Sequence, residues 1–150
     1  MMSDNTRHFR ILSIRVLRFH QEEPEEPIPA GADFAVNIKF TLQGNKDDNV
    51  IRIIFDVGIQ KSDEATSLPF ISIVTAIVFK FKEDDAFTIN EKGKVIITAA
   101  VLNPLVSLAY STTRGILFAK AGSSNLASLI LPPMSITELT NQFLSSEPSD

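Results

Sequence analysis

Three runs of strict alternation dominate the chain and restrict it to a sheet with one buried face. In residues 33–43, Phe34, Val36, Ile38, Phe40 and Leu42 share one face. In residues 50–61 the same parity holds Ile51, Ile53, Phe55, Val57 and Ile59, and in residues 68–82 it holds Ile71, Ile73, Ile77, Phe79 and Phe81. Side chains of a strand point alternately to its two faces, so period two over such lengths predicts strands half-buried in a sheet. The breaks between the runs, GNKDDN (44–49) and KSDEATS (61–67), are short and rich in turn formers. Short connections between long strands make antiparallel neighbours.

A further strand is predicted over residues 9–20. Read with period two, it offers Phe9, Ile11, Leu17 and Phe19 on one face and Leu12, Ile14 and Val16 on the other. Apolar groups on both faces predict cover on both sides over part of its length. Residues 21–32 (QEEPEEPIPAGA) hold Pro24, Pro27 and Pro29, which fix φ and remove backbone donors. They predict a stiff, extended connection.

Beyond residue 94 the pattern changes. Residues 1–94 carry 12 of the 14 basic and 15 of the 18 acidic side chains, and from Val95 to Thr137 the only charges are Arg114 and Lys120. Asn103-Pro104 suits a helix start, with Asn as the N-cap and Pro at the first helical position. Leu105, Leu108, Thr112, Ile116 and Ala119 follow at helical spacing, and Lys120 and Gly122 mark the end. Residues 92–102 are compatible with a short helix or a strand. An irregular apolar stretch, SSNLASLILPP, is stopped by Pro132-Pro133, and Ser135 with Glu138 then forms a capping box. Ile136, Leu139 and Phe143 share one face of the helix that follows, and SSEPSD ends the chain as a polar tail. Four strands followed by helices predict an α+β fold, an antiparallel sheet with helices on one face. The length of 150 residues predicts a single domain, 1–150, with flexible tails at 1–8 and 145–150.

Chemistry-bearing constellations are sparse. The chain has no Cys, so disulfides and thiolate metal sites are excluded, and this fits a reducing, cytoplasmic setting. The polar start, MMSDNTRHFR, lacks the apolar core of a secretory signal. The two histidines, His8 and His20, lie about 40 Å apart along an extended strand, too far to share a metal ion. Asp47-Asp48 and Asp84-Asp85 sit at turns, where Asp serves backbone geometry. The hydroxyls of Tyr110, Ser111, Thr112 and Thr113 have no neighbouring His, and the six glycines are too scattered to cradle a phosphate. These readings predict no catalysis, no cofactor and no metal. A net charge of −4 argues against a nucleic-acid partner. Asn103-Pro104 interrupts the uncharged run from Val95 to Thr113, which argues against membrane insertion.

What remains is apolar excess. Eleven Phe stand against one Tyr and no Trp. Many of them fill the core, but a four-stranded sheet has two faces and one helical layer covers one. The surplus predicts self-association or a binding groove.

Four segments resemble the SecB family of bacterial chaperones. LPPMSITEL (131–139) resembles the segment that leads into the last helix of that fold. NPLVSLAYSTTRGILFAKAG (103–122) resembles its long helix, with Tyr110 matching a conspicuous Tyr. FRILSIRVLRFHQEEPEEP resembles the first strand running into a Pro-containing crossover, and DDNVIRIIFDVGIQ resembles the third strand. Together they span about residues 9–144.

The resemblance implies a four-stranded antiparallel sheet with a crossover between the first two strands, and dimers that pair into tetramers. It implies an ATP-independent holdase for unfolded or precursor polypeptides, with no catalytic or nucleotide site, serving protein export through the SecA motor. By match of position, the client groove would be lined by Ile28, Pro29 and Phe34 at the crossover and its exit. Leu126, Leu129, Leu131, Ile136, Leu139 and Phe143 would line it in the linking segment and last helix. The family docks SecA on acidic side chains of the exposed sheet. At the matching positions this chain has Arg18 and Ile73, and only Glu22 keeps the charge. That weighs against SecA as a partner and makes a SecB-like chaperone dedicated to a specific client, such as an antitoxin, an alternative reading. A self-associating module without chaperone activity is the remaining reading.

Overall fold

The computed structural model describes residues 8–22, 34–61, 71–121 and 136–146. The elements are β1 (Phe9–Gln21), β2 (Phe34–Asn45), β3 (Val50–Lys61), β4 (Ile71–Phe81), β5 (Thr88–Ile89), β6 (Val95–Ile96), α1 (Ala99–Ala121) and α2 (Ile136–Ser146). The first four strands form one antiparallel sheet in the order β1-β4-β3-β2. The chain therefore crosses from one edge of the sheet to the other between β1 and β2. The connection itself (23–33), the β3–β4 turn, the segment 122–135 and both chain ends lie outside the described residues.

The alternation translates directly into faces. On β3, Ile51, Ile53, Phe55 and Val57 are fully sealed, and on β4 the same holds for Ile73 and Phe79. α1 lies across β3 and β4, and α2 packs on α1. The β2–β3 turn is set by local polar bonds: the Asn45 carboxamide oxygen accepts from the Asp47 backbone N–H at 2.9 Å. Asn49 takes the left-handed conformation (φ 56°), and its amide donates to the carbonyls of Phe81 (2.9 Å) and Glu83 (2.8 Å).

β1 departs from the period-two reading. Its register against β4 slips between Ile11 and Ser13 and again between Val16 and Arg18, so Leu12 and Leu17 are bulged residues with no partner in the ladder. Each bulge inserts one residue and reverses the parity beyond it. The face shared with the core is therefore Phe9, Ile11, Ile14, Val16 and Phe19, which stand opposite Phe81, Phe79, Ile77, Thr75 and Ile73. Leu17 does not belong to it, and Ile14 and Val16 do.

α1 also differs from expectation. It begins at Ala99, where the Thr98 carbonyl accepts from Val101 (3.2 Å) and Leu102 (3.0 Å), so Pro104 lies inside the helix. The turn ahead of Pro104 seals Leu102 completely, which compensates for the one missing N–H donor. The buried stripe is Leu102, Leu105, Val106, Ala109, Tyr110, Thr113, Leu117 and Ala121. Of the expected stripe only Leu105 is buried; Leu108 and Ala119 face outward. Residues 92–102 resolve into the second half of a β5–β6 hairpin followed by the first turn of α1.

Candidate functional site

The distinctive surface lies on β1. Five of its large aliphatic residues are open to solvent: Ile11 (40%), Leu12 (47%), Ile14 (46%), Val16 (40%) and Leu17 (47%). Ile11, Ile14 and Val16 belong to the face that is sealed on β3 and β4. Among the described residues α1 and α2 leave them partly open.

Both ends of β1 are nevertheless seated. The Phe9 ring stands edge-on to Phe79 with centroids 5.6 Å apart, and Phe19 lies beneath the Lys120 ammonium of α1 at 4.8 Å from the ring centroid. An apolar trough thus runs along the middle of β1, closed at each end by an aromatic ring. β1 is also an edge strand, so among the described residues one of its hydrogen-bonding sides has no strand beside it. An exposed edge with aliphatic side chains can take up another extended segment through main-chain bonds and side-chain burial together.

Of the side chains singled out from sequence, Phe34 opens β2 on the core-facing side and is half-buried against the core. Leu139 is sealed in α2, at 6% exposure, and contributes to packing between the helices. Ile136 and Phe143 lie within α2, but their side chains, like all of Ile28, Pro29, Leu126, Leu129 and Leu131, lie outside the described residues. The three exposed aliphatic residues on the inner face of β1 were not among the sequence candidates. The period-two reading had split them between two faces, and the bulges that reunite them leave no mark in the pattern.

Ile73 is fully sealed beneath α1, so it does not stand on the exposed sheet face and cannot replace a surface acid there. Arg18 is exposed on that outer face, opposite Val74, and Glu22 is exposed just beyond the end of β1.

Two titratable groups are perturbed by their contacts within the fold. Glu83 accepts from the His8 ring Nδ1 (2.5 Å) and from the His8 backbone N–H (2.8 Å), and these bonds lower its pKa to about 2. The pair fastens the start of β1 to the end of β4. Burial pushes the Tyr110 hydroxyl up, against the opposing pull of Arg114, and its ring packs 6.1 Å from Phe55. Among the described residues no group of three His, Asp or Glu side chains converges to hold a metal ion, and no helix is long and apolar enough to cross a membrane.

Comparison with known proteins matches this geometry to one fold. No family model and no curated protein matches the sequence. Among solved structures, the SecB-like chaperone Rv1957 of Mycobacterium tuberculosis, in complex with a ChAD peptide from the HigA1 antitoxin Rv1956, superposes with a TM-score of 0.54 at 16% identity. The match covers 85% of this chain and 91% of that one. The chain has a SecB-like α+β fold.

Proposed function

We propose that this chain is an ATP-independent holdase of the cytoplasm, which binds unfolded polypeptide along β1 and catalyses no reaction. The observation that carries this reading is the open aliphatic row Ile11, Ile14 and Val16, continuous with a sealed core and flanked by an edge that has no strand beside it among the described residues. Burial returns roughly 25 cal/mol per Å2 of apolar area whichever side chain supplies it, so such a trough favours unfolded chains over folded ones without reading sequence. The candidates at Ile28, Pro29, Phe34, Leu126, Leu129, Leu131, Ile136, Leu139 and Phe143 would extend the contact. Leu139, being sealed, would serve it indirectly, by holding α2 on α1.

Self-association is part of the proposal. Two copies pairing through their β1 edges would remove the exposed edge and join their troughs, and a dimer of such dimers would let several weak contacts act on one client. A dedicated client is a second reading, supported by the antitoxin peptide bound to the Mycobacterium tuberculosis protein. Service to SecA draws no support from Arg18.

The test is light scattering from a chemically unfolded client diluted without ATP into buffer or into an equimolar amount of this protein. Suppression is expected, together with its loss in the double variant Ile14→Asp, Val16→Asp. Unchanged client aggregation in the presence of the wild-type protein would refute the holdase reading.

A further inference from the structure

The face of the sheet turned away from α1 carries a charge distribution that the holdase reading does not use. Counting the ladder through both bulges, β1 presents Arg10, Arg15, Arg18 and His20 on that face, opposite Lys80, Ala76, Val74 and Ser72 of β4. The backbone N–H of Lys82 donates to the His8 carbonyl (2.8 Å), which continues the ladder and sets His8 across from Lys82. Arg10 and Lys80 are therefore a directly opposed like-charged pair, with a second basic pair one step further out. Like charges directly opposite on a sheet are destabilising on their own.

Among the described residues no acid is paired with Arg10, Arg15, Arg18, Lys80 or Lys82, and the one acid bonded to this end of the strip, Glu83, is held by His8. The only carboxylate that the three ladders place on this face is Asp56, and it pairs with Lys39 on β2 at 3.7 Å; further along the same strands the Arg52 guanidinium donates to Gln43 (3.0 Å). This basic strip sits on a chain whose net charge is −4, so it is segregation of charge and not excess. Beside the basic row runs a half-buried aliphatic one, Val74 and Val78 on β4 with Ile54 on β3 next to them, and Ala76 sealed between them. At the end of the strip an open cavity of about 370 Å3 is lined by His8, Phe9, Arg10, Lys80, Phe81 and Lys82.

We infer that this outer face, along β1 and β4, is a docking strip for an acidic, partly apolar polypeptide segment of another protein. Three arginines in a row suit carboxylates, which a guanidinium binds through two parallel bonds. The parallel aliphatic row takes the apolar side chains of the same segment. A nucleic acid fits less well: the ladders turn every strand Phe to the opposite face, which leaves no run of Phe rings along the basic row for successive bases to stack on. The strip lies on the far side of the sheet from the trough, and it does not depend on the holdase reading.

Fluorescence anisotropy with labelled 20-residue peptides tests the inference. One peptide is built of Glu, Ala and Leu, and a second carries Lys in place of every Glu. At low salt the first is expected to bind at least about tenfold more tightly than the second, and to weaken severalfold at about 300 mM salt, where charges are screened within a few Å. The triple variant Arg10→Glu, Arg15→Glu, Lys80→Glu is expected to abolish the preference. The milder Arg10→Gln, Arg15→Gln variant, monitored by circular dichroism, should reduce it with the fold intact. Equal binding of both peptides, an undiminished preference in either variant, or tighter binding of a 20-nucleotide single strand than of the acidic peptide would overturn the proposal. Aggregation of an unfolded client, followed in parallel, reports on the trough alone.

Discussion

The Thr75 hydroxyl on β4 lies 2.8 Å from the Thr113 hydroxyl on α1, and both side chains are completely buried. Thr113 donates its own hydrogen to the Ala109 carbonyl one turn back, at 2.8 Å. A hydroxyl has one hydrogen, so Thr75 must be the donor between the two. This asymmetry orders the costs of removal. Thr113→Val strands a buried donor and is expected to cost about 1–3 kcal/mol, whereas Thr75→Val removes a donor and leaves the Thr113–Ala109 bond, costing less. The double variant should fall short of the sum by on the order of 1 kcal/mol in chemical denaturation, because the two share one interaction.

Gly44 marks where the β5–β6 hairpin closes on the edge strand β2. A Cβ built there would stand 2.8 Å from Val95 Cγ2 and 3.1 Å from the Phe87 ring. Those neighbours are a branched side chain and an almost fully buried ring, so neither moves cheaply. Gly44→Ala gains about 0.5–1 kcal/mol of strand propensity, but the overpacking outweighs it. A net loss of about 1–2 kcal/mol is expected by thermal or urea denaturation, and a gain in stability would show that the hairpin is free to shift.

Much of this architecture is legible in the sequence. The parity of Ile51, Ile53 and Phe55, and of Ile71, Ile73 and Phe79, reads out as the core because β3 and β4 are flat runs without insertions. β1 resists the same reading, since Leu12 and Leu17 carry no feature that distinguishes a bulged leucine from a paired one. α1 misleads in two ways. Pro104 looks like a first-turn proline although the helix begins at Ala99, and Leu108 and Ala119 offer a second apolar stripe at the same spacing. Choosing between two such stripes requires knowing which side the sheet occupies. The trough inherits its illegibility from β1.

Exposure separates function from stability along the chain. Ile14→Asp and Val16→Asp act on side chains 46% and 40% open to solvent, so each is expected to change the unfolding free energy by less than about 1 kcal/mol. Phe55→Ala empties a fully sealed site between β2 and α1 and should cost about 3–5 kcal/mol. Urea titration of the three variants, beside the client-aggregation assay, checks the split. A large destabilisation by Ile14→Asp would return that residue to the core.

The His8–Glu83 pair makes β1 sensitive to acid. Glu83 has a pKa lowered from 4.5 to about 2 in the folded protein, first through the His8 side-chain bond. A group with a depressed folded pKa contributes its stabilisation fully above its unfolded value and loses it as pH falls toward the folded one. The contribution therefore disappears between about pH 4.5 and pH 2. Glu83→Gln is expected to flatten the stability profile in that window and leave it parallel to wild type at neutral pH, as read from urea midpoints at successive pH values.

The sheet order has a consequence for how the molecule is made. β2, β3 and β4 pair with their neighbours in sequence, but Phe9 must wait for Phe81, and no other described strand offers β1 a place. Of these four strands the earliest to leave the ribosome is thus the last to find its seat, since distant pairings close late. Until then its five open aliphatic side chains and both bare edges belong to an unfolded chain. Each newborn copy passes through the very condition that a holdase would recognise.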